Sequence, residues 1–159
     1  MALGVPMKDK CIVAIDPGTT TGVCCIQQHP GSVYGFQVVS SWQIPWEDRL
    51  SFFMALFNGT FVDVNDKTLL PEIVVLEAFR LRPGRAMEQV GSIFPSVRII
   101  GIVEAFTSLM VPQPVIVFQE PGIMSRTEIL PDHMERLSGL IHAQDAYKHA
   151  RYYHIMSGE

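Results

Sequence analysis

Two short apolar runs, each closed by an acid, restrict the folds open to this chain more than any other feature. "CIVAID" at residues 11–16 and "EIVVLE" at residues 72–77 are rich in β-branched side chains and end at Asp16 and Glu77. Runs of that length and composition read as buried strands, and the Pro-Gly pair after Asp16 stops the first one. A helical pattern lies in the long stretch between them, the kind of connection that lets two strands pair in parallel. Strand alternation places Ile12, Ala14 and Asp16 on one face, and Ile73, Val75 and Glu77 together on one face. As parallel neighbours about 4.8 Å apart, the two strands would bring both carboxylates to one edge of a sheet, where open α/β folds keep their sites.

The other segments fill in around this pair. "GVCCIQQ" and "YGFQVVSSWQI" read as second and third strands joined through the turn signal "HPGS", giving an antiparallel meander with the first. "WEDRLSFFMALFNG" carries apolar residues near helical spacing and closes at Asn-Gly, as helices often do. "SVRIIGIVEAFTSLM" predicts a helix, "PVIVFQE" a fifth strand, and residues 137–154 a final helix free of proline. The order βββαβαβα is an α/β layout with a mixed five-stranded sheet flanked by helices, without internal repeats. A chain of 159 residues, 48% hydrophobic, suits one domain spanning 1–159, with residues 1–10 expected to be flexible.

No apolar stretch has the roughly 18 to 20 residues of a membrane span, and the first residues have no apolar core of a signal peptide, so a cytoplasmic protein is expected. Cys11, Cys24 and Cys25 lie in apolar runs without CxxC spacing and read as reduced core residues. The formal net charge is −4, yet Arg80, Arg82, Arg85 and Arg98 face only Glu88 over residues 78–98, leaving that stretch positive. It is either a solvated loop or a polyanion contact.

In "GLIHAQDAYKHARYYH", His142 and Asp145 are three apart and His149 lies four further on, so all three can share a face of the last helix. Converging carboxylates resist joint ionisation unless cations lie between them, which is why such clusters bind divalent metals. Two cations about 3.5 to 4 Å apart can activate water, hold a phosphate and stabilise the departing oxygen of an in-line displacement. Asp16, Glu77 and the final-helix group would then form a nuclease centre.

The motifs "IVAIDPGTTTGV", "IVVLEAFR" and "HAQDAYKHA", with "VRIIGIVEA" and "VIVFQEPG" between, resemble those of the RuvC-like Holliday junction resolvases of the ribonuclease H-like superfamily, of phage type. The resemblance covers residues 11–153. It implies a ribonuclease H-like fold and a homodimeric, metal-dependent endonuclease that resolves four-way DNA junctions by paired symmetric nicks. By position it makes Asp16, Glu77, His142 and Asp145 catalytic and metal-binding, with Mg2+ or Mn2+ in a two-metal site. His142 stands where many relatives carry aspartate and some histidine. Magnesium prefers oxygen ligands, so an imidazole there suits manganese better or contacts the scissile phosphate.

Junction DNA is a polyanion, which makes Arg80, Arg82 and Arg85 the natural backbone contacts. The resemblance suggests that Phe79 stacks on an unpaired base, against the alternative of a core phenylalanine. Lys148 and Arg151 either extend the basic patch or form the solvated face of the final helix. Gly18 and Gly22 would let the chain turn back after Asp16, and Thr19 to Thr21 either offer hydroxyls to phosphate or serve the turn. A symmetric double cut calls for a C2 dimer, and the apolar helix "SVRIIGIVEAFTSLM" suits a partner face as well as a core. Two rivals are a phosphotransferase or ATPase of the actin-like superfold, whose phosphate loop also reads Asp-x-Gly-Thr-Thr, and a branched-DNA-binding module that does not cut. The first uses two such domains with nucleotide between them and has no need of an acid-bearing last helix, so no nucleotide cofactor is expected.

Overall fold

Apolar side chains on both faces of "CIVAI" demand cover on both faces, and β1 (Cys11–Asp16) accordingly lies at the centre of the sheet. A computed structural model describes residues 10–29, 31–63, 66–79 and 94–158. The five strands run in the order β3-β2-β1-β4-β5. β2 (Thr20–Gln28) and β3 (Phe36–Pro45) form the expected antiparallel meander with β1. β4 (Ile73–Glu77) pairs with β1 in parallel, and β5 (Val115–Gln119) extends the sheet in parallel beyond β4.

Helices cover the two faces with different chemistry. Val13, Ile15, Val74 and Leu76 pack with Phe53, Leu56 and Phe57 of α1 (Arg49–Phe57) and with Ile99 and Val103 of α2 (Pro95–Ser108). Ile12, Ala14, Ile73 and Val75 face the other way, against Leu137 of α3 (Pro131–Leu137) and the buried stripe Ala143, Ala146, Tyr147 and Ala150 of α4 (Ile141–Met156). Each Val, Leu or Ile buried in these layers contributes about 1.5–3 kcal/mol before the entropy of ordering is charged against it. The three cysteines are free and buried, as expected, with Cys11 Sγ 3.3 Å from Cys25 Sγ. A turn of 3-10 helix (Trp46–Asp48) leads into α1, and Asn58 with Gly59 at φ +80° closes it.

The chain departs from the sequence expectation at its last helix. α4 begins at Ile141, while Leu137 ends the separate helix α3, and Gly139 at φ +77° makes the corner between them. The tract without proline hid this break because a single glycine in a helical pattern is a weak signal. Pro131, at the first position of α3, was its one local mark. A 3-10 segment, Pro121–Arg126, also lies between β5 and α3.

Gly22 serves packing and lies outside the turn, within β2, where a Cβ would fall 1.8 Å from the carbonyl oxygen of His142. Only a residue without a side chain lets the first turn of α4 rest on the sheet at this point. Gly101, in α2, has nothing among the described residues within 4 Å of the equivalent position. Gly22→Ala should therefore destabilise the fold by about 3 kcal/mol or more, the upper range of overpacking, whereas Gly101→Ala should stabilise it by roughly 0.5–1 kcal/mol through helix propensity. Chemical denaturation of the two variants beside the parent checks both signs.

Candidate metal centre

Parallel pairing fixes the first two acids. The register sets Ala14 beside Val75 and Ile15 beside Leu76, so Asp16 and Glu77 follow as the last residues of adjacent strands on the α4 face of the sheet. Gln119 is the register partner of Glu77 on β5, so three neighbouring strands each end in a polar residue. Glu77 and Gln119 share that edge through the backbone as well, the Ala78 amide donating to the Gln119 carbonyl at 2.7 Å.

The third group arrives with the start of α4. Two features moor that helix end: the bare backbone of Gly22, within the first motif, and the side chain of Gln43, outside the motifs, whose Oε1 accepts the His142 amide at 2.8 Å. Gln43 is the register partner of Gly22 on β3, so one rung of the sheet holds the helix from both strands. An N-terminal amide of α4 that lacks an intrahelical partner is thereby satisfied. Gln43 has no sequence signal beyond its parity on β3.

With α4 so placed, Asp16, His142 and Asp145 each offer a ligand atom, all within 4.8 Å of one another. His142 Nδ1 lies 3.8 Å from Asp16 Oδ2. Asp16 is largely buried, with 15% of its side chain exposed, and His142 is half-exposed at the mouth. Glu77 stands beside this triplet and outside it. Its Oε2 accepts a hydrogen bond from Nε2 of His149 at 2.9 Å, and that imidazole is fully buried. Burial first, then the Glu77 and Asp145 carboxylates, push the Asp16 carboxyl up from 3.8 to about 7.

The remaining sequence candidates are distributed more widely. Phe79 is about one-third exposed, two residues past Glu77, with its ring 5.1 Å from that of Phe94. Arg80, Arg82 and Arg85 lie outside the described residues. Lys148 is half-buried on α4, one turn beyond Asp145. Arg151 donates to the Glu128 carbonyl, which ties it to the segment before α3. Thr21 is buried and its hydroxyl donates to the Gly18 carbonyl at 3.1 Å, which makes it the residue that closes the turn; Thr19 is exposed. Ser96, at the start of α2, donates to the Pro17 carbonyl at 2.7 Å and steadies the same turn.

The architecture has a solved counterpart. RuvC of Thermus thermophilus superimposes with a TM-score of 0.53 at 16% identity, over 92% of this chain and 96% of that one. The chain has the RuvC fold. The yeast mitochondrial Holliday junction resolvase Ydc2 also matches, at 16% identity and a TM-score of 0.45, over 86% of this chain and 62% of its own. No family model and no curated protein matches the sequence.

On this RuvC-like sheet the donor set is two carboxylates and an imidazole, with a third carboxylate alongside. It fits a divalent cation of intermediate hardness better than an alkali ion or a thiolate-loving metal. The convergence of a largely buried Asp16 with Asp145 and His142, with Glu77 alongside, speaks for such a guest, because a cation offsets the repulsion that burial amplifies.

The raised Asp16 carboxyl has a stability consequence whose sign is fixed. Asp16 holds its proton to about pH 7 when folded and only to about pH 4 when unfolded. Its contribution to stability is therefore complete below pH 4 and lost as pH rises through 7. In chelator at pH 8, Asp16→Asn should raise the melting temperature, reflecting a relief on the order of a few kcal/mol. Near pH 4 the difference should vanish, and Mn2+ should stabilise the parent at pH 8 but leave the variant unmoved. Thermal unfolding at the two pH values, with and without Mn2+, checks this.

Proposed function

We propose that the chain is a structure-selective, metal-dependent DNA endonuclease that resolves four-way junctions by paired symmetric nicks. The observation that carries the reading is the meeting of Asp16, His142 and Asp145 within 4.8 Å, with Glu77 on the adjoining strand, at the carboxyl edge of a RuvC-like sheet. The likeness of the fold to Thermus thermophilus RuvC, together with the motif resemblance, supports the substrate class. Asp16, His142 and Asp145 would hold the cation directly and Glu77 would complete the centre, with Mg2+ or Mn2+ as occupant. Divalent cations bound there would supply water activation and charge neutralisation at the phosphate. His142, half-exposed at the mouth, is the side chain best placed to meet the scissile phosphate as well. The whole chain acts as one nuclease unit in this reading.

A chain with one such centre cuts two strands symmetrically as a C2 homodimer, which puts two centres on opposite arms of the junction. Phe79 offers an aromatic face next to Glu77, suited to stacking on an unpaired base at the branch point. Arg80, Arg82 and Arg85 follow it in sequence and supply positive charge for the phosphate backbone, with Lys148 on the same flank of α4 as Asp145. Arg151 belongs to a more distant turn, and its bond to Glu128 gives it a weaker claim. Among the described residues no helix is long and apolar enough to cross a membrane. In this reading the nuclease works where its DNA is, in the cytoplasm, a host cytoplasm for a phage protein.

The direct test is strand scission of labelled four-way, three-way and linear duplex DNA with Mg2+ or Mn2+. The parent should nick the four-way junction at paired positions. Asp16→Asn should abolish detectable nicking, a loss of about a hundred- to a thousandfold as for removal of a central charge-stabilising group, while still retarding the junction in a gel. Full cutting by Asp16→Asn contradicts the assignment. In the same assays Arg82→Ala should weaken junction binding and lower the magnitude of the salt slope by about one. An unchanged slope removes Arg82 from the interface.

A further inference from the structure

His149 sits one turn beyond Asp145 on α4, fully buried beside Ala146, Tyr147 and Ala150. A buried imidazole in such surroundings needs partners for both ring nitrogens. It finds them at two strand ends: Nε2 is 2.9 Å from Glu77 Oε2, and Nδ1 is 2.8 Å from Oε1 of Gln119. A carboxylate only accepts, so Nε2 donates to Glu77, and the Gln119 amide, able to present either end, serves the other nitrogen. Gln119 is itself buried and is the register partner of Glu77.

We infer that His149, aligned by Gln119, is a positioning residue for Glu77: it pins one carboxylate oxygen and so leaves the other as the atom Glu77 presents toward the cation site. The inference rests on the metal-centre reading above and adds two residues to it. Partners of this kind behind ligating groups fix rotamers and tune affinity. Glu77 stands outside the triplet formed by Asp16, His142 and Asp145, so the direction in which its carboxylate is held decides whether it joins them. The energetic logic is preorganisation. A glutamate has three rotatable bonds, and a fixed donor behind it removes the entropy of choosing among them when a cation arrives.

Two substitutions of similar polarity separate this role from simple core filling. The amide nitrogen of glutamine reaches about as far from Cβ as Nε2 of histidine, and that of asparagine about as far as Nδ1. His149→Gln can therefore still donate to Glu77, while His149→Asn can serve only Gln119. Mn2+ binding, followed by calorimetry and by loss of the free-ion electron paramagnetic resonance signal, is the readout. It is taken on full-length protein without DNA, after thermal unfolding in chelator has shown that the variants fold.

His149→Asn should weaken Mn2+ binding by about 10- to 100-fold, with His149→Gln within roughly threefold of the parent. Gln119→Met, which keeps the volume and removes the partner of Nδ1, should also weaken it, by about threefold to tenfold. It tests the relay independently should either His149 variant unfold. Equal affinities for the Asn and Gln variants, or tighter binding by the Asn variant, overturn the proposal while leaving the metal centre standing. Mn2+ binding that Asp16→Asn leaves unchanged overturns the metal centre and the proposal with it.

Discussion

Parallel pairing of two short strands in one fixed register underlies everything else in this molecule. A slip of one residue between β1 and β4 would turn Asp16 or Glu77 to the opposite face of the sheet, into the aliphatic layer beneath α1 and α2, because side chains alternate with period two. The register is held by what lies behind the acids. Ile12, Ala14, Ile73 and Val75 are buried on the α4 face, and Val13, Ile15, Val74 and Leu76 on the other. The cores on both faces thus specify the site, and two carboxylates that repel each other are kept adjacent by hydrophobic packing worth far more than their repulsion.

That arrangement stores an electrostatic conflict. Asp16 is buried beside Glu77 and Asp145, and its proton is held to about pH 7 in consequence. A protein gains nothing from such a cluster as scaffolding; an apolar edge would be more stable. The conflict makes chemical sense as a receptor for cations, with His142 at the mouth lowering the negative charge that a site built wholly from carboxylates would carry. His149 extends the same economy inward by supplying one of the Glu77 oxygens with a donor from the core.

Much of this was legible in the sequence, for reasons that are specific. The acids close β-branched runs of matching parity, so parallel pairing in the natural register puts them on a common face, and the spacing of His142 and Asp145 is the spacing of a helix face. The meander of β1 to β3 and the parallel pairing of β1 with β4 followed from connection lengths, whereas the place of β5 beside β4 came only with the fold. The resemblance carried by the motifs agrees with the RuvC-like fold observed. Less was legible where the cause is tertiary. The break at Gly139, the helix α3, the approach of the His142 carbonyl to Gly22 and the hold of Gln43 on α4 depend on how one element lies on another. Gln119 was invisible because its role arises only when β5 is set in register with Glu77. His149 was visible as part of a polar stripe, and only packing turns it away from solvent and onto the carboxylate.

A metal centre requires that cations occupy the point where the strand ends and α4 converge. Crystals of the protein grown with Mn2+ and measured at the manganese absorption edge would show it directly. An anomalous difference peak is expected within coordination distance of Asp16, His142 and Asp145, with a Glu77 oxygen on its border and His149 still bonded to the other. A map without such a peak at saturating Mn2+, or with manganese bound only elsewhere on the surface, would contradict the metal centre.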